Sequence, residues 1–75
     1  MADEPSTPQE VWALIERADE LVKYSGNRDQ TAAFAQARQT LEHAKAAAAK
    51  VPGAEKLEEQ ARRRLEDLAQ REAAQ

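Results

Sequence analysis

The stretch Phe34-Ala35-Gln36-Ala37-Arg38-Gln39-Thr40-Leu41-Glu42-His43-Ala44-Lys45-Ala46-Ala47-Ala48-Ala49-Lys50-Val51-Pro52 decides the fold. Within it Phe34, Ala37, Leu41, Ala44, Ala48 and Val51 recur at steps of three, four, three, four and three. That is the seven-residue repeat of a helix burying one stripe. Its composition agrees, because Ala, Gln, Glu, Lys, Arg and Leu favour helix while strand-favouring β-branched and aromatic residues are scarce. Pro52 disfavours helical backbone at Val51 and sets the end. The start falls between Asn27 and Thr31, with Asn27 or Asp29 as the capping side chain, so a helix is predicted over about 30–51. From Ala46 to Ala49 the helix is almost bare of bulk, which admits a close neighbour but adds little burial.

Upstream, Thr7-Pro8-x-Glu10 reads as a helix start. Thr7 caps, Pro8 takes the first helical position, and Glu10 completes a T-x-x-E capping box. Val11, Leu14, Ile15, Ala18, Leu21 and Val22 then mark one face, and Ser25-Gly26 ends the run, with Gly26 suited to a left-handed C-terminal position. This helix is predicted over about 8–24, behind a disordered acidic tail at 1–6 that carries Asp3 and Glu4. Downstream, Leu57, Ala61, Leu65 and Leu68 stripe a third helix over about 54–73, with Glu55 in its first turn and Arg71 near its end, each placed to suit the helix dipole. Short connections make successive helices antiparallel neighbours. The expected fold is therefore all-α, a helical hairpin plus a third packing helix in one antiparallel three-helix domain at 7–75.

Seventy-five residues leave room for one domain and one modest core. Its candidates are Val11, Trp12, Leu14, Ile15, Leu21, Val22, Phe34, Leu41, Val51, Leu57, Leu65 and Leu68. The chain has no cysteine, which excludes disulfides and thiolate metal sites. A net charge of −3 argues against a nucleic-acid binder relying on phosphate neutralisation. No apolar run approaches the roughly 18 residues that span a bilayer, and Met1-Ala-Asp-Glu-Pro-Ser6 lacks the basic and apolar parts of a signal peptide. A cytoplasmic protein is expected. The alanine- and arginine-rich usage suggests a bacterial source, and the initiating Met and polar end suggest a complete small protein.

Ala37-x-x-x-Leu41-x-x-Ala44 resembles the second helix of a tetratricopeptide repeat, and Trp12-x-x-Ile15 resembles the W-x-x-L of its first helix, with Pro52 in the place of its closing proline. Glu16 stands where that repeat carries a small residue and Asp19 where it carries an aromatic one. The hairpin also runs about seven residues longer than the repeat. A three-helix domain of the kind found in microtubule-interacting and trafficking proteins is similar in outline. The tetratricopeptide resemblance covers residues 12 to 52 and implies a peptide- or protein-binding scaffold without catalysis.

No residue set reads as catalytic, cofactor-binding or metal-ligating. His43 is the sole histidine and lies about 200° around its helix from Leu41, on the solvent side, with no second His or Cys to share a metal. Arg62-Arg63-Arg64 point in three directions, with carboxylates at Glu58, Glu59, Glu66 and Asp67 in i,i+4 reach, as in an internally neutralised surface helix. Glu16 and Glu20 share a face, but no nucleophile or metal partner accompanies them; the serines and threonines fit caps and turns. Trp12, about 100° from Val11, sits at the edge of the apolar stripe. Trp12 and Tyr24 are the candidate partner-binding residues, since aromatic side chains dominate interface hot spots, although a tryptophan covering the rim of a small core is the commoner arrangement.

The chain thus reads as a non-enzymatic protein–protein interaction module, with an amphipathic partner helix laid along the thin alanine face near Trp12. It needs no cofactor or small-molecule substrate, and its partner is a protein or peptide. Two alternatives share the same features. The heptad run suits self-association into a homodimer, and the negative charge suits a small acidic regulator of the antitoxin or inhibitor kind.

Overall fold

A computed structural model describes residues 5–24 and 30–74. It contains α1 (Pro8–Lys23), α2 (Gln30–Lys50) and α3 (Glu55–Ala74), and no strand among the described residues. The fold is the expected all-α bundle of three helices. Each predicted range lies within a residue of the observed one; the expected signals at Gly26, Asn27 and Asp29 lie outside the described residues, as do Asp3 and Glu4 of the tail.

The start of α1 forms as its capping box requires. Thr7 is extended, at φ −129° and ψ 155°, and its hydroxyl accepts from the Glu10 N–H at 3.2 Å. The Glu10 carboxylate turns back and accepts from the Ser6 N–H at 3.0 Å, the Ser6 hydroxyl at 3.1 Å and the Thr7 hydroxyl at 3.2 Å. The box therefore extends one residue further than the sequence pattern shows, and Ser6, expected in the tail, is tied to the first turn. These donors, the Ser6 backbone N–H foremost, hold the Glu10 carboxyl below its ordinary value.

The turn between α2 and α3 is set by Pro52-Gly53. Val51 still closes the last α2 turn through its N–H to Ala47 O at 3.1 Å, and its own carbonyl accepts from Ala54 N–H at 3.3 Å. Gly53 has φ +83°. A proline followed by a positive-φ glycine inside an i to i+3 hydrogen bond is a type II turn. It reverses the chain within four residues and lays α3 antiparallel to α2. Ala54 then opens α3, its carbonyl accepting from the Glu58 N–H at 3.0 Å. Alanine is a poor capping residue. Here it is fully buried in the core, and the acidic Glu55 and Glu58 of the first turn complement the helix dipole in its place.

α2 is the middle wall. α1 and α3 each pack along it and touch one another sparsely. The Cα envelope of 37 × 25 × 15 Å is accordingly flattened, as two helices flanking a third produce. All six positions of the heptad run, namely Phe34, Ala37, Leu41, Ala44 and Ala48 of α2 and Val51 just beyond it, are buried within the chain. That stripe is consequently occupied by α1 and α3, and it offers neither the open alanine face expected to receive a partner helix nor a free coiled-coil seam for a homodimer. The exposed alanines of α2, such as Ala46 and Ala49, lie off the stripe.

The core is richer in alanine than the list of large candidates suggests. Among the described residues Ala18, Ala37, Ala44, Ala47, Ala48, Ala54 and Ala61 are seven of thirteen buried apolar members, so the helices meet largely through methyl groups; Ala47 and Ala54 lie off the expected stripes. Val11, Ile15, Phe34, Leu41, Val51 and Leu68 supply the bulk. Leu14, Leu21, Val22, Leu57 and Leu65, expected inside, are only partly buried against it. No described helix is long and apolar enough to cross a membrane.

Candidate functional site

The flattened arrangement leaves a cleft between α1 and α3, which run parallel because each is antiparallel to α2. Its floor is apolar: Leu41 of α2 lies at the bottom, with Ala18 and Val22 of α1 on one side and Leu68 of α3 on the other. Asp19 and Lys23 of α1 and Arg64, Asp67 and Arg71 of α3 form the rim. The space is about 500 Å³ and opens to solvent, within the range of ligand-receiving clefts. Helical spacing explains the lining. Residues 18, 19, 22 and 23 fall on one face of α1, and 64, 67, 68 and 71 fall on one face of α3.

One end of the cleft is closed by a clasp centred on Arg64. Its Nε donates to both carboxylate oxygens of Asp19, at 2.9 and 3.0 Å, and a terminal nitrogen donates to Gln60 Oε1 at 3.2 Å. The guanidinium also lies over the Trp12 ring, 5.7 Å from its centroid, a cation–π arrangement. Arg64 and Asp19 are partly exposed, at 31% and 50%, so the pair is screened by solvent and contributes modestly to stability. Its main effect is geometric, bridging two helices that barely touch otherwise. At the other end Arg71 Nε donates to Asp67 Oδ2 at 3.1 Å, and Lys23 Nζ stands over the Tyr24 ring, 5.4 Å from its centroid.

The structure places Trp12 and Tyr24 on one helix but not in one site. Trp12 is 36% exposed and flanks the clasp; Tyr24 is 73% exposed at the far end of α1 and faces a shallow depression with Arg17, Leu21 and Ala33 between α1 and α2. Twelve residues of helix separate them, about 18 Å along the axis. His43 is exposed, as its position on the helix implied, and lines a separate depression with Ser6, Lys50 and Val51. Glu16 and Glu20 are also exposed.

The arginine run keeps one of its expected i,i+4 partners and redirects the others. Glu59 pairs with Arg63 as the spacing indicated, at 3.7 Å, and also takes Arg62 at i,i+3, at 3.8 Å. Asp67 pairs with Arg71, and Arg64 leaves its own helix for Asp19. The spacing Trp12–Asp19, seven residues on one face of α1, was the available signal for a shared contact across the cleft. Arg38 of α2 and Glu72 of α3 form a further interhelical ion pair. Among the described residues no group of three His, Cys, Asp or Glu is placed to hold a metal, and no polar side-chain atom is buried without a hydrogen bond. No family model matches the chain, and no curated protein or solved structure matches it at a significant level.

Proposed function

We propose that this chain is a small, non-catalytic helical interaction module of the cytoplasm whose receiving surface is the α1–α3 cleft. The observation that carries the reading is the apolar floor of Ala18, Val22, Leu41 and Leu68 left open between two charged rims. Such a trough is the shape into which an amphipathic segment lays its apolar face. Trp12 stands beside it as the aromatic anchor, already oriented by Arg64 and half out of the core. The reading rests on the cleft and takes no support from the tetratricopeptide-like spacing.

The test is affinity capture with the wild type, the cleft variants Val22→Arg and Trp12→Ala, and the off-cleft control Ala49→Arg, after circular dichroism shows equal helicity. The expected result is one protein recovered with the wild type and with Ala49→Arg, and lost with both cleft variants. Equal recovery by all four proteins overturns the assignment of the cleft. Recovery of the chain alone, with a mass that rises with concentration in sedimentation, replaces the reading by self-association.

A further inference from the structure

We propose that the occupant of the α1–α3 cleft is an acidic amphipathic helix, whose carboxylates meet Lys23 and Arg71 while two of its apolar side chains rest on Leu41 and Leu68. The inference rests on the proposed cleft function and adds the chemistry of the partner. Its basis is charge. The rim carries three cations, Lys23, Arg64 and Arg71, against two anions, Asp19 and Asp67, on a chain whose net charge is −3. The cleft is thus a basic spot on an acidic molecule, and a basic segment would bring like charges together at a desolvating contact.

The three cations are not equally available. Arg64 is committed to Asp19, Gln60 and Trp12. Arg71 is 57% exposed and uses only Nε, toward Asp67, among the described residues, so its two terminal nitrogens remain for a carboxylate. Lys23 stands over the exposed Tyr24 ring and forms no ion pair with a carboxylate among the described residues. Both belong to the last turns of parallel helices, so they sit together at the open end of the cleft, opposite the clasp. From Arg64 to Arg71 the rim runs seven residues, about 10 Å. That length accepts side chains at positions i and i+4 of a docked helix, about 6 Å apart. A cavity of about 500 Å³ holds a pair of such side chains and leaves the helix backbone above the rim.

The test is selection of helix-forming peptides from a charge-unbiased library on the immobilised chain, with Val22→Arg as the counter-target that removes peptides binding elsewhere. Peptides that survive are titrated against the full chain, with Trp12, the only tryptophan, as the fluorescent reporter beside the clasp. Enrichment of net-acidic sequences with an i,i+4 apolar pair is expected, with binding at least tenfold weaker to Lys23→Glu/Arg71→Glu. Tenfold corresponds to about 1.4 kcal/mol. Enrichment of neutral or basic peptides that still fail on Val22→Arg overturns the acidic-helix assignment and leaves the cleft as the binding surface. Selection of peptides indifferent to Val22→Arg, or of none, overturns both.

Discussion

Replacing Ala44 by Leu tests whether the alanine-rich core is a packing device or only a consequence of helix propensity. Ala44 lies in the middle of α2 and is 0% exposed, beside Ala37, Leu41, Ala47 and Ala48 of the same buried stripe. Leucine adds three carbons and has nearly the same helix propensity as alanine. If the site had room, burying those carbons at about 0.8 kcal/mol each would stabilise the fold by roughly 2.4 kcal/mol. With α2 closed in by neighbouring helices, the added volume displaces them, at a cost of about 1–3 kcal/mol. The two accounts therefore differ in sign. A domain of this length has a stability of roughly 4–11 kcal/mol, and each kcal/mol moves Tm by about 4–8 °C. Ala44→Leu is expected to lower Tm by roughly 5–20 °C in thermal unfolding followed by circular dichroism, with a matching fall in urea midpoint and little change in the denaturant slope. Ala49→Leu, on the exposed side of the same helix, is expected to move it by no more than a few degrees. An Ala44→Leu protein as stable as the wild type, or more so, refutes close packing through alanine.

Two further outcomes follow from the helix ends. At Gly53 an added Cβ would meet nothing within 4 Å, yet φ is +83°; Gly53→Ala is expected to lower stability by about 1–2 kcal/mol through backbone strain alone, with Gly53→Asn costing less, as urea titration will measure. The Ser6 and Thr7 donors hold the Glu10 carboxyl below the usual glutamate range in the folded state, so its contribution to stability is fully present above that usual range and disappears as pH falls through the lower folded value. Comparing unfolding midpoints from pH 7 down to pH 2 for the wild type and Glu10→Gln is expected to show a shallower acid loss in the variant, and parallel curves would contradict the capping geometry.

Helix existence and ends were legible because they depend on local chemistry. A capping threonine followed by proline, a heptad of apolar steps and a Val-Pro-Gly stop each act within a few residues. The left-handed Gly53 was legible too, since proline followed by glycine is the pattern of a type II turn, although the stretch was read only as a boundary. The alanines of the core were largely legible, since Ala18, Ala37, Ala44, Ala48 and Ala61 lie on the apolar stripes and Ala49 does not; what was not legible is how closely the helices approach through them, which depends on tertiary position. Hydropathy also directed attention to large side chains such as Leu14 and Leu57, which sit half-buried at the edge. The cleft escaped for a similar reason. Its rim residues had plausible partners on their own helices, and nothing local marks Arg64, rather than Arg62 or Arg63, as the one that reaches α1.

Because α1 and α3 lean on α2 and scarcely on each other, the molecule has two interfaces in series along a shared wall. Substitutions on opposite sides of α2 should then combine almost additively, as for separated sites. The width of the gap between the flanking helices is therefore set chiefly by how each of them seats on α2, where Val11, Ile15 and Ala18 are buried on the α1 side, and the solvent-screened Arg64–Asp19 contact bridges that gap without being what holds it.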